Sequence, residues 1–147
     1  MTNYDNITEY LAVDISPDQI ENAQSLICSA KLPNKVRLNF LVSDIPSLKL
    51  DKQYDLVILS EVFSHILSTE INSIIKKLLT LSNKHIINID CYADHPPRIQ
   101  ARYNFIHQYE AIYKKYTEPF IIIKRIPINR KNCLGPIIQT NLFFILL

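Results

Sequence analysis

Three carboxylates stand out because each follows a short apolar run and precedes a turn: Asp14 in LAVDIS, Asp44 in LVSDIP and Asp90 in HIINID. A carboxylate fixed at the end of a strand can accept hydrogen bonds from two vicinal hydroxyls, as nucleotide-binding α/β proteins do with a ribose. Asp14 has a second reading, in which it closes a turn and favours the N-terminus of the helix that follows. Asp44 likewise reads as a strand-ending Asx turn before Pro46. A second group, Ser60, Glu61, Ser64 and His65, follows the apolar run YDLVILS. His65 has the intrinsic pKa of a general base, and packing is the structural alternative. Asp90, Asp94, His95 and His107 invite a metal reading, but no two histidines are spaced i, i+4 and nothing in the sequence forces these regions together. No metal is expected.

These residues need elements to hold them. Residues 10–14 read as a strand, after which Ser16 offers an N-cap, Pro17 the first helical position and Gln19 a capping box for a helix over 17–30. Ile20, Ala23, Leu26, Ile27 and Ala30 fall on one face of it. Residues 36–42 form the next strand, with a short helical turn allowed over 45–50. The continuous apolar run 54–60 reads as a central parallel strand covered on both faces. Thr69 is placed to cap a helix whose Ile71, Ile74, Ile75, Leu78 and Leu79 repeat at i, i+3 and i+4. After a strand over 85–90, Pro96-Pro97 opens a helix with an aromatic face running from Ile99 through Tyr109 and Tyr113 to Tyr116; His107 lies on it, with core packing as its ordinary role. Residues 120–128 and 137–147 are β-rich and have no helix between them, so they should pair antiparallel.

The chain has 147 residues, 48% apolar and 20% charged, with a net charge of +2. That size and composition predict a single globular domain, 1–147, and the weak charge gives no reason to expect nucleic acid or a membrane surface as partner. Cys28, Cys91 and Cys133 are odd in number and lack a C-x-x-C pair, which predicts reduced, buried thiols in the cytoplasm. The N-terminus does not read as a signal peptide, and the apolar C-terminal run is too short to span a bilayer.

The order of acid-ended strands, closed by an antiparallel pair, resembles the class I S-adenosylmethionine-dependent methyltransferases. LAVDIS (residues 11–16) is similar to the motif whose acid binds both ribose hydroxyls, and LVSDIP (41–46) to the segment that contacts adenine. YDLVILSEVFSHI (54–66) resembles the strand and loop under the methionine part of the cofactor. The resemblance implies a three-layer, Rossmann-like α/β sandwich, mostly parallel with an antiparallel C-terminal strand. It also implies S-adenosyl-L-methionine as cofactor, bound by Asp14, Ile15, Asp44, Ile45, Ser60 and Glu61; His65 is the candidate catalytic base by residue type alone, since a histidine at this place in the family often packs structurally. Ser64, Asp90 and His107 would face a methyl acceptor, which the tyrosine-rich region suggests is a small organic molecule.

One departure accompanies the match. The family's first strand and glycine-rich loop belong before LAVDIS, yet the only glycine is Gly135. An N-terminally truncated domain is therefore expected, lacking a middle strand and leaving unpaired ladders that invite a second copy or a partner chain to complete the sheet. Two rival functions follow: a non-catalytic, self-associating or partner-binding domain, and an α/β domain for another nucleotide such as NAD.

Overall fold

The computed structural model describes residues 7–29, 36–92, 105–117, 123–128 and 139–146. The chain divides into two compact units, residues 1–49 and 50–147. The strand and helix order is the one the sequence predicts: β1 (Glu9–Asp14), α1 (Pro17–Ser29), β2 (Arg37–Val42), β3 (Tyr54–Ser60), α2 (Ile71–Leu81), β4 (Ser82–Tyr92), α3 (Tyr109–Thr117), β5 (Ile123–Ile128) and β6 (Gln139–Leu146). It is an α/β fold, with parallel pairs early and antiparallel pairs at the C-terminal end.

In the first unit β1 and β2 pair in parallel, with Glu9 opposite Arg37 and Asp14 opposite Val42. A parallel pair needs a crossover, and α1 supplies it. Its start is built locally. The Ser16 hydroxyl accepts the Gln19 N–H at 3.4 Å, and the Ser16 carbonyl accepts the Ile20 N–H at 3.2 Å. Pro17 takes the position where a missing N–H costs nothing, and Asp18 adds a negative charge in the first turn. The expected capping box is only half present: the Ser16 N–H donates to Asp14 Oδ1 at 2.8 Å, so the carboxylate takes the donor that the Gln19 side chain would have accepted. Ile20 is buried, whereas Leu26, placed on the same face by periodicity, is 71% exposed. Cys28 is exposed too, against the expectation of a buried thiol, because it lies on the outer side of α1. Cys133 and Ala30 lie outside the described residues.

The second unit carries a four-stranded sheet in the order β3-β4-β6-β5. The β3–β4 pair is parallel, with α2 as the crossover, and β6 runs antiparallel between β4 and β5. The predicted pairing of the last two strands holds, from Ile123 opposite Ile145 to Ile128 opposite Thr140. Pro127, which has no N–H to give, sits in β5, at the edge where a missing ladder donor does no harm. On α2, Ile71, Ile74, Ile75 and Leu78 are all buried, as the 3.6-residue repeat requires. Each such side chain contributes about 2 kcal/mol by leaving water. The helix ends where Ser82 turns to extended backbone while its N–H still reaches the Leu78 carbonyl.

Three expectations fail here for identifiable reasons. Thr69 does not cap α2. The chain is already turning at Thr69, the Leu67 carbonyl accepts the N–H groups of both Glu70 and Ile71, and Glu70 holds the N-cap position without a side-chain bond. β3 is not covered on both faces. Among the described residues it ladders with β4 alone, and Leu56 and Ile58 are 43% and 56% exposed. The tyrosine helix does not reach back to residue 105: it begins at Tyr109, and 105–108 is non-helical because its backbone and side chains are engaged elsewhere. The part of that predicted helix over 96–104 lies outside the described residues.

Candidate functional site

The first unit gathers two of the acids at one sheet edge. Asp14 ends β1, and its carbonyl accepts the Ser43 N–H at 3.0 Å, which carries the parallel ladder one step beyond Val42. Asp44 follows immediately. Both side chains are exposed. Asp14 spends one acceptor site on the Ser16 N–H, and a carboxylate offers about four. Asp44 Oδ1 accepts the Ser47 N–H at 2.7 Å, the Asx turn anticipated from Pro46, and residues 45–47 make a turn rather than a helix. The Ser47 hydrogen bonds hold the Asp44 carboxyl below its ordinary value of 3.8. Ile15 is 72% exposed beside Asp14, and Ile45 is half-buried. The unit thus offers two exposed carboxylates flanked by branched apolar side chains at the ends of adjacent strands.

The second unit builds a tightly bonded loop from 61 to 66. Ser60 and Glu61 leave the end of β3 exposed, and the Glu61 N–H donates to the Ile89 carbonyl at 2.7 Å. Glu61 has φ 56°, the left-handed region that costs a non-glycine residue about 1 kcal/mol. Strain of this kind gathers at functional positions. Phe63–His65 form a 3-10 turn in which Phe63 is completely buried, its ring stacked on Tyr109 with centroids 5.7 Å apart. His65 is exposed.

Ser64, Asp90 and His107 are all buried. Asp90 accepts the Phe63 N–H on Oδ2 at 2.8 Å and the Cys91 N–H on Oδ1 at 2.9 Å. Burial pushes its carboxyl above the ordinary 3.8, against the pull of the Cys91, Phe63 and Ser64 donors. Burial, and then the Asp90 charge, drive the neighbouring Tyr109 and Tyr113 hydroxyls far above the usual phenol value, so both remain neutral. His107 Nε2 lies 3.0 Å from the Phe63 carbonyl and 2.9 Å from the Ile66 carbonyl, and the Phe105 N–H donates to the Ser64 carbonyl at 2.7 Å. These bonds are what keep 105–108 out of the helix. Among the described residues no three His, Cys, Asp or Glu side chains come together as a metal site would need. No helix among them is long and apolar enough to cross a membrane.

The sequence singled out Asp90 and His107 but not their part in holding this loop, and it missed Phe63 as the loop's buried anchor. The apolar pair Val62-Phe63 set between polar residues in SEVFSH was the available signal for Phe63. Nothing local marks the positive φ of Glu61.

Acid-ended parallel strands, a helical crossover in each unit and an antiparallel C-terminal pair define a Rossmann-like α/β fold of the methyltransferase type. The methyltransferase-domain family model matches residues 3–84, more than half of the chain, and the protein belongs to that family. No curated protein matches the chain. Among solved structures, magnesium protoporphyrin IX methyltransferase from Synechocystis with bound SAM aligns with a TM-score of 0.67 at 20% identity, over 92% of this chain and 58% of that one. The N-methyltransferase NodS from Bradyrhizobium japonicum in complex with S-adenosyl-L-homocysteine aligns with a TM-score of 0.71 at 13% identity, over 92% and 65%. A SAM-dependent methyltransferase from Methanosarcina mazei aligns with a TM-score of 0.68 at 13% identity, over 94% and 81%. The chain therefore spans about three fifths of the first two of these relatives.

Proposed function

We propose that this domain binds S-adenosylmethionine and takes part in methyl transfer to a small organic acceptor. The observation that carries the reading is the pair of exposed carboxylates, Asp14 and Asp44, at the ends of adjacent parallel strands in a chain of the methyltransferase-domain family. The residues present fit the adenosyl half of the group. Asp14 has acceptor sites beyond the one in its turn for two ribose hydroxyls, with Ile15 beside it, and Asp44 with Ile45 offers a carboxylate and a branched side chain to the adenine. By the family resemblance alone, Ser60 and Glu61 of the second unit are the candidates for the methionine end. When bound, the cofactor supplies a methyl group on a sulfonium, open to displacement. The chain's own work is to hold that group and align the acceptor, since alignment is where most of the acceleration of such a displacement arises. His65, exposed in the 61–66 loop, is the side chain assigned to take the acceptor's proton.

The test is ultraviolet crosslinking with methyl-tritiated S-adenosylmethionine. The expected result is label in peptides containing Asp14 or Glu61, suppressed by excess S-adenosylhomocysteine. Label that S-adenosylhomocysteine does not suppress, or no label on folded protein, would refute the reading.

A second reading rests on β3, which ladders with β4 alone among the described residues while exposing Leu56 and Ile58. A bare strand edge is a template for pairing, so the domain would act by self-association through this edge. Sedimentation equilibrium should then show a dimer, and a monomer at high concentration would remove this reading.

A further inference from the structure

The loop from Glu61 to Ile66 is held from two sides. From the sheet, the Ile89 carbonyl takes the Glu61 N–H, and Asp90 Oδ2 takes the Phe63 N–H at 2.8 Å. From the segment ahead of α3, His107 Nε2 lies within 3.0 Å of two carbonyl oxygens, those of Phe63 and Ile66. Two acceptors facing one ring nitrogen require that nitrogen to carry the proton, so His107 donates one shared hydrogen bond from Nε2–H. Both backbone groups of Phe63 are thereby engaged, its N–H by Asp90 and its carbonyl by His107 together with the Ile66 N–H. The Phe63 ring, buried against Tyr109 and Tyr113, closes the assembly. Asp90 and His107 are 0% and 4% exposed, so neither presents a surface to a ligand.

We propose that Asp90 and His107 are positioning residues that clamp the 61–66 loop from opposite sides, presenting exposed Glu61 and His65 in a preformed arrangement to the cofactor and acceptor. The proposal deepens the methyltransferase reading and rests on it for the identity of the ligand. The clamp itself is a property of the loop and has its own readout. A loop whose backbone is already bonded loses little freedom on binding, which is how preorganisation raises affinity.

The test compares the 147-residue chain with His107→Leu, which removes the donor, and His107→Gln, whose amide nitrogen can donate from nearly the same place. Amide hydrogen exchange is followed at Phe63, His65 and Ile66, with the α2 amides as internal control, and S-adenosylhomocysteine affinity is measured by titration. The clamp predicts at least about tenfold faster exchange at the loop amides in His107→Leu with α2 unchanged, and recovery in His107→Gln. Affinity should fall by about tenfold in the first variant and recover in the second. Equal protection of the loop in wild type and His107→Leu would overturn the proposal, as would a His107→Gln loop as open as that of His107→Leu. Should His107→Leu fail to fold, Asp90→Leu, which leaves no acceptor for the Phe63 N–H, carries the same test: faster exchange at Phe63 with α2 unchanged supports the clamp, and unchanged exchange overturns it. If the wild-type chain binds no S-adenosylhomocysteine, the methyltransferase reading falls, while the exchange data still decide the clamp.

Discussion

Replacing Asp14 separates its two roles, because the structural one is small and the proposed binding one is large. Structurally, Asp14→Ala removes one exposed hydrogen bond, from the Ser16 N–H at 2.8 Å. The helix keeps its other cap bonds, from Gln19 N–H to the Ser16 hydroxyl and from Ile20 N–H to the Ser16 carbonyl. The loss is therefore no more than about 1 kcal/mol, or a fall of roughly 2–4 °C in Tm for a chain of this size. If the carboxylate instead holds two ribose hydroxyls, the variant loses two charge-assisted bonds of about 1.5 kcal/mol or more each, which is over a hundredfold in Kd. Asp14→Asn keeps an oxygen for the Ser16 N–H and loses the charge, so it should melt like wild type and still bind poorly. Thermal melts beside titration with S-adenosylhomocysteine read both quantities. A fall of about 3 kcal/mol in stability, with affinity unchanged, would refute the reasoning and leave Asp14 as a turn residue alone.

Other outcomes follow from the second unit. Glu61→Gly should be at least as stable as wild type, since glycine accepts φ 56° without strain, while Glu61→Val should lose about 1–2 kcal/mol; urea unfolding checks the order, and equal stabilities would mean the left-handed backbone is not held. Asp90 has a carboxyl raised by burial, so the folded state binds its proton more readily than the unfolded state does. Its ionisation therefore penalises folding above the folded-state pKa. As pH falls from that value to the ordinary 3.8, wild type should gain stability relative to Asp90→Asn, and melts across the acid range that ran parallel would contradict this. Ile75→Ala on α2 empties a fully buried position and should cost about 3 kcal/mol in urea unfolding; a loss below about 1 kcal/mol would mean that α2 does not pack as described.

Much of this fold was legible because its signals are local and repeated. The i, i+3, i+4 spacing of Ile71, Ile74, Ile75 and Leu78 predicts the buried face of α2, and Ser16-Pro17 marks the start of α1. The absence of a helical pattern between the last two strands predicts their antiparallel pairing. What could not be read depends on distant partners. Residues 105–108 continue a helical aromatic pattern, but the Phe105 N–H and the His107 ring bond to backbone some forty positions earlier, and those bonds outweigh the local preference. Thr69 is an ordinary cap residue displaced by a turn that begins at Leu67. β3 reads as a doubly covered strand because Leu56, Val57, Ile58 and Leu59 make a continuous apolar run, and only its position at the edge of the sheet order explains the exposure of Leu56 and Ile58. At the site, the acids were visible by type and place. That Asp14 and Asp44 stand at exposed strand ends while Asp90 is buried under a loop was not, since all three follow apolar runs of the same kind.

The central claim is that the strand-end acids hold an adenosyl ligand, and calorimetric titration of the 147-residue chain with S-adenosylhomocysteine, run beside NAD, tests it most directly. Saturable binding of S-adenosylhomocysteine with none of NAD is the predicted result. A folded chain that binds neither ligand, or that binds NAD instead, would contradict it.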